Sequence, residues 1–197
     1  MDNWSEIFAV VTGLLYIWLE IRQKPSMWII GFVSSLVFVF VYYQSKMYGL
    51  AALNVYYVVV SVYGWYCWRY ARQPDSAETG LPVTRLRLSL VLILMTIVAV
   101  LFAGIGYTLA RFTDSTIPYP DALVFSFSIV ATWMLARKIL EHWILWIFIN
   151  FFSSALCFSQ KLYLAAGLFV VYGVLSVVGW MKWKQNQKSP VLRTKCK

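Results

Sequence analysis

Asn54, Tyr57, Ser61, Trp65 and Trp68 recur at steps of three and four residues, and so do Trp143, Trp146, Asn150 and Ser153. At 3.6 residues per turn each set falls along one stripe of a helix. A third stripe holds Tyr172, Ser176, Trp180 and Trp183. The chemistry open to such stripes is recognition without covalent steps. Aromatic faces attract a cationic or planar ring, and amides and hydroxyls pair with hydroxyl or carbonyl groups while carrying no charge. Together the stripes can wall a pocket for a planar, polar ring system such as an aromatic vitamin.

The same residues have plainer uses. Aromatic side chains belt both faces of a membrane, and Trp4, Trp28, Trp68 and Trp183 fall near the ends of apolar runs. An amide in mid-membrane, such as Asn54 or Asn150, can bond a neighbouring helix instead of a ligand, and Gly64 and Gly179 suit close helix packing. Ser34, Ser35, Ser153 and Ser154 either bond their own backbone or line a path. Reactive chemistry has less to draw on. Cys67, Cys157 and Cys196 show neither paired spacing nor nearby histidines, so neither a metal site nor a disulfide framework is expected. His142 stands alone beside Glu141, and no cluster of carboxylates accompanies it, so an enzyme, like a non-transporting scaffold, is the weaker reading.

The elements that must position these stripes are membrane helices. With 61% hydrophobic and only 13% charged residues, a compact globule could not cover itself in water. A spanning helix needs roughly 20 apolar residues. Uncharged runs cover 26–45, 51–68, 88–110, 142–160 and 162–181, and shorter ones at 7–19 and 122–136 reach spanning length if their ends near Trp4, Ile21, Pro118 and Ile139 are counted. The expected architecture is an all-α integral membrane protein with seven transmembrane helices.

Two stretches about 115 positions apart repeat one another. Lys46, Tyr48, Tyr57, Ser61, Gly64, Trp65 and Trp68 reappear as Lys161, Tyr163, Tyr172, Ser176, Gly179, Trp180 and Trp183. Upstream, Ser34 and Ser35 match Ser153 and Ser154 if a four-residue length difference is allowed. The expected order is three helices, one linker helix, then three helices, a 3+1+3 arrangement of parallel repeats with a binding site between the halves. The boundaries are 1–70 for the first repeat, 71–117 for a loop and the linker helix, 118–184 for the second repeat, and 185–197 for a basic tail.

Basic residues stay on the cytoplasmic side. With the N-terminus outside, only Lys46, Arg111 and Lys161 of the 17 Lys and Arg fall outside, and the rest fall inside. The net charge of +9 therefore reports orientation and contact with anionic lipid rather than nucleic-acid binding. The acidic start (Asp2, Glu6) has no basic n-region, so the first helix is expected to stay in the mature protein. Residues 73–83 read as a surface loop, and no soluble domain is expected.

Charged carboxylates within membrane spans mark ion coupling, and none is expected here. Glu20 is placed to face Arg22 or Lys24, and Glu141 has Arg137 one turn earlier. This pattern favours passive, facilitated movement of a solute, with net uptake supplied by cytoplasmic chemistry and no cofactor.

Asn54 and Tyr57 running into Tyr63, Gly64, Trp65 and Trp68, followed by Leu135, Arg137, Lys138, Glu141, Trp143, Trp146 and Asn150 at fixed spacing, resemble the PnuC family of vitamin transporters over nearly the whole chain. The resemblance implies a helix arrangement like that of the SWEET sugar transporters and often a homotrimer. It implies movement of nicotinamide riboside across the bacterial inner membrane, with a cytoplasmic kinase trapping the solute. Relatives thought to carry thiamine leave that vitamin open as an alternative. By the family motif, Asn54, Trp143, Trp146 and Asn150 become substrate-binding candidates, joined by Tyr57 and Gln44, and the stripe that holds Asn54 and Tyr57 adds Ser61.

Overall fold

The computed structural model describes residues 3–45, 47–70, 81–113 and 116–188. Lys46, Arg72, most of the 73–83 loop and the basic tail from 189 on, with Cys196, lie outside the described residues, as do Asp2 and the side chain of Glu6, while 185–188 continue the last helix. In lipid every backbone polar group needs an internal partner, which leaves the helix as the conformation for an apolar run. The helices are α1 (Asn3–Ile21), α2 (Met27–Gln44), α3 (Tyr48–Tyr70), α4 (Leu88–Phe112), α5 (Pro118–Ala136), α6 (His142–Ser159) and α7 (Tyr163–Lys188). Six of them are long and apolar enough to cross a membrane, and α1 adds a shorter apolar stretch, Ile7–Ile21. The described residues thus form an all-helical, multi-pass membrane protein without a β-strand.

The internal repeat is tighter than the sequence comparison suggests. Helices α1 and α5 each have 19 residues, and α2 and α6 each have 18. Because α2 begins at 27 and α6 at 142, and they end at 44 and 159, the offset is 115 throughout. The expected four-residue length difference is therefore absent. Ser35 is level with Asn150, and Ser153 with Phe38; the two Ser-Ser pairs match by identity but not by position on the helix. Backbone geometry repeats as well. Gln23 and Lys138 both take positive φ, 55° and 49°, the left-handed turn that closes many helix C-termini. At the first turn Lys24 N–H donates to the Leu19 carbonyl at 3.0 Å, and at the second Ile139 N–H donates to the Met134 carbonyl at 2.9 Å.

Packing pairs the helices the same way in each half. A Cβ on Gly64 would sit 2.4 Å from the ring of Trp28, and one on Gly179 would sit 2.4 Å from the ring of Trp143. Both indoles are buried, so neither can swing away without opening the core. Gly64→Ala or Gly179→Ala should each destabilise the fold by about 1–3 kcal/mol, read as a lower melting temperature in detergent. An unchanged midpoint would show that the indole has room to move.

Four tryptophans join the halves. Ring centroids lie 5.7 Å apart for Trp28 and Trp68, 5.9 Å for Trp68 and Trp183, and 5.7 Å for Trp183 and Trp143. Nearby, the 81–87 segment docks on the turn between α5 and α6: Thr84 N–H donates to the Lys138 carbonyl at 3.0 Å, and Leu140 N–H to the Thr84 carbonyl at 2.9 Å. Leu86 N–H donates to Glu141 Oε2 at 2.8 Å. Arg137 donates to the Tyr63 hydroxyl at 3.2 Å. The Lys138 ammonium lies 4.4 Å from the centroid of the Trp68 ring, and burial lowers its pKa to about 8. Glu20 does not face Arg22 or Lys24 as expected. It is buried on the side of α1 that meets α6, where Oε1 lies 3.1 Å from His142 Nε2. Arg22 instead caps the ring of Trp18 at 4.0 Å.

Candidate functional site

A cavity of about 230 Å³ opens among α1, α2 and α3, closed by one residue each from α5 and α6. Helix α1 contributes Ala9, Thr12, Gly13 and Tyr16; α2 contributes Trp28, Ile30, Gly31, Ser34 and Ser35; α3 contributes Asn54, Tyr57, Val60 and Ser61. Thr132 and Trp146 complete the wall. Asn54, Tyr57 and Ser61 of the α3 stripe face the cavity, while Trp65 and Trp68 do not line it; a polar row on an apolar helix must turn toward protein or water rather than lipid.

Of the seven expected site residues, the structure brings four together at this cavity: Asn54, Tyr57, Ser61 and Trp146. Three are placed elsewhere. Trp143 is fully buried against Gly179, Trp183 and His142. Asn150 stands one turn behind Trp146, where Nδ2 donates to the Trp146 carbonyl at 2.8 Å and reaches Ser176 Oγ at 3.4 Å. Gln44 is exposed at the last residue of α2. Ser34 and Ser35 line the cavity, whereas Ser154 bonds the Ala166 carbonyl at 2.9 Å.

Sequence reasoning missed Thr12, Tyr16, Gly31 and Thr132, and read Trp28 as an interfacial anchor. A usable signal existed in the repeat itself. Shifting by 115 replaces Thr12 by Phe127, Gly31 by Trp146, Ser34 by Ile149 and Asn54 by Phe169. Where one half carries small or polar side chains, the other carries bulk, so the space is open on one side and filled on the other.

The cavity wall holds no Asp, Glu, Lys, Arg or His. Its polar groups are neutral and of both kinds. The indole N–H groups of Trp28 and Trp146 are buried without a hydrogen-bond partner, as is that of Trp143 away from the cavity, a condition that costs about 1–3 kcal/mol per group. Thr12 Oγ1 donates to the Phe8 carbonyl at 2.7 Å and lies 3.2 Å from Ser34 Oγ, so Ser34 supplies the proton of that contact and keeps its lone pairs for a donor. Asn54 Nδ2 is engaged by the Leu50 carbonyl at 2.9 Å, which leaves its carbonyl oxygen as an acceptor. The arrangement can hold a flat, uncharged or diffusely cationic ring bearing both acceptors and hydroxyls.

A family model described as nicotinamide mononucleotide transporter matches residues 3–185. The chain is 26% identical over 205 residues to the nicotinamide riboside transporter PnuC of Escherichia coli strain K12, covering 92% of this chain and 85% of that one. It is 28% identical over 200 residues to the riboflavin/roseoflavin transporter RibM of Streptomyces davaonensis, covering 96% and 90%. Among solved structures, that of the vitamin B3 transporter PnuC aligns with a TM-score of 0.73 at 27% identity, over 95% of this chain and 83% of that one.

Proposed function

The chain belongs to the nicotinamide mononucleotide transporter family, and from that premise we propose that it carries nicotinamide riboside across the bacterial inner membrane by facilitated diffusion. It is a membrane transport protein for a small vitamin, not an enzyme. The observation that supports the riboside most is the neutral cavity wall with its two unpartnered indole donors. A pyridinium ring lies against aromatic faces, its carboxamide oxygen accepts an indole N–H, and ribose hydroxyls meet Ser34, Ser61 and Asn54. A mononucleotide would bring a phosphate dianion into a wall with no cation, at a desolvation cost of several kcal/mol.

Two related readings keep the same mechanism. The likeness to RibM favours riboflavin, against which the cavity of about 230 Å³ speaks, since pockets for drug-sized ligands usually span ~300–1,000 Å³. Thiamine, another cationic ring with a hydroxyl, satisfies the same groups. The helices operate in this reading as parallel 3+1+3 repeats of the SWEET kind, N-terminus outside and C-terminus inside, with alternating access to the cavity. Phosphorylation by a cytoplasmic kinase drives net uptake, and the working assembly is a homotrimer.

Vesicles that contain the purified protein and no kinase should equilibrate labelled nicotinamide riboside, and a protonophore should leave the initial rate unchanged. Titration of the same preparation with the riboside, its mononucleotide, thiamine and riboflavin should give heat for the riboside foremost. Flux for none of the four would end the transport reading, and flux abolished by the protonophore would replace passive movement with ion coupling.

A further inference from the structure

The four-tryptophan layer has an internal control. Trp68 Nε1–H donates to the Leu135 carbonyl at 3.3 Å, and Trp183 Nε1–H donates to the Glu20 carbonyl at 3.1 Å. Trp68 and Trp183 are repeat equivalents, and so are Glu20 and Leu135. Each half therefore reaches across to the end of the other half's first helix, and the two bonds clasp α1 to α7 and α3 to α5 at one end of the bundle. Beside one clasp lies the Glu20–His142 pair. Beside the other, the equivalent positions hold Leu135 and Met27, both buried. One limb is polar and the other apolar in the same surroundings.

The apolar limb shows that packing alone is satisfied there without charge. A buried ionic pair is weak evidence for stability, since apolar replacements of like volume are often neutral or stabilising. What distinguishes the polar limb is that it can exchange its partner for water when the end opens, whereas Leu135 and Met27 cannot. Its bonding is definite. His142 Nδ1 lies 2.7 Å from the Ile139 carbonyl, an acceptor only, so Nδ1 carries hydrogen. The 3.1 Å contact of Nε2 with Glu20 Oε1 then holds one further proton between acid and base, which leaves the pair without net charge while it is closed. Trp28 of this layer and Tyr16, which packs against it, both line the cavity.

We propose that Glu20 and His142 are positioning residues for transport: the releasable limb of a latch that closes the cavity toward the C-terminal end of α1 and yields when the carrier turns to that side. The proposal rests on the transport reading above, and its test separates the two.

In a chain whose Cys67, Cys157 and Cys196 are replaced by serine, Val60→Cys places a thiol on the cavity wall. A small membrane-impermeant thiol reagent applied to either vesicle face then reports which side is open. Glu20→Ala should raise labelling from the α1 C-terminal face by at least about tenfold, a shift of ~1.4 kcal/mol in the open-to-closed balance. Glu20→Leu combined with His142→Met copies the apolar limb. It should leave the dissociation constant for nicotinamide riboside within about twofold while lowering labelling from that face and flux by about tenfold or more. Glu20→Gln keeps a side chain that can bond His142 and should stay near the parent in flux. Parent-like flux in the double variant, or unchanged labelling in Glu20→Ala, would overturn the latch; should the double variant fail to fold, the Glu20→Ala labelling decides alone. If the parent chain moves and binds no vitamin, the transport reading fails, and the change in labelling still reports on the latch.

Discussion

Replacing Trp146 by alanine should weaken nicotinamide riboside binding about a hundredfold, ~2.8 kcal/mol at 1.4 kcal/mol per decade. Three losses coincide at this side chain. Its ring faces the cavity from the second half of the chain, and a cation over an indole contributes about 0.5–2 kcal/mol. Its N–H is one of the two buried donors on the wall without a protein partner, so an acceptor on the ligand adds about 1 kcal/mol. The alanine variant also leaves an enlarged cavity with fewer contacts for the ring. Trp146→Phe separates these contributions in part, because it keeps an aromatic face while removing the N–H together with the area of the second ring, and should cost about fivefold or more. Calorimetric titration of the two variants beside the parent measures both steps. Parent-like affinity in a folded Trp146→Ala protein would take this residue out of the site. Asn150→Ala provides a contrast, since Asn150 holds the Trp146 carbonyl and Ser176 from behind and should act on affinity only through the placement of Trp146.

The helices were legible because the breaks between apolar runs carry the charges, and a charged residue in lipid is costly. The α3 stripe was legible for the related reason that Asn54, Tyr57 and Ser61 are polar in an otherwise apolar helix. The α6 stripe was only half legible. Trp143 and Trp146 share a face by spacing, yet one is drawn into the hollow over Gly179 and the other reaches the cavity. Spacing cannot separate them, but the repeat can, because Trp143 has a partner in Trp28 and Trp146 has only Gly31 opposite. Gln44 was carried from a motif to a helix end, where the exposed side chain has no wall to join. Glu20 misled because a carboxylate four residues from a lysine or two from an arginine reads as an interfacial pair, whereas Glu20 meets His142 and Arg22 lies over the ring of Trp18. Thr12 and Tyr16 were hidden in α1, whose apolar stretch is shorter than those of the six spanning helices and whose role on the wall depends on the contacts it makes with α2 and α7.

That asymmetry between halves carries the second large effect. Gly31 is the position at which the first half omits what the second half supplies as Trp146. A Cβ there would stand 2.8 Å from Tyr16 Cε2 and 3.3 Å from Ser61 Oγ, so a larger side chain must enter the cavity, push the Tyr16 ring into it, or do both. Gly31→Leu should therefore lower affinity for nicotinamide riboside by at least about a hundredfold, ~2.8 kcal/mol. The displaced volume is space rather than packed core, and leucine also favours the helix over glycine by roughly 0.8 kcal/mol. The melting temperature of the unliganded protein should consequently hold or rise as binding is lost, the opposite of what Gly64→Ala does one layer away. Titration and thermal unfolding of the same preparation distinguish a filled site from a damaged fold. A Gly31→Leu protein that melts like the parent and still binds the riboside tightly would place the ligand outside this cavity.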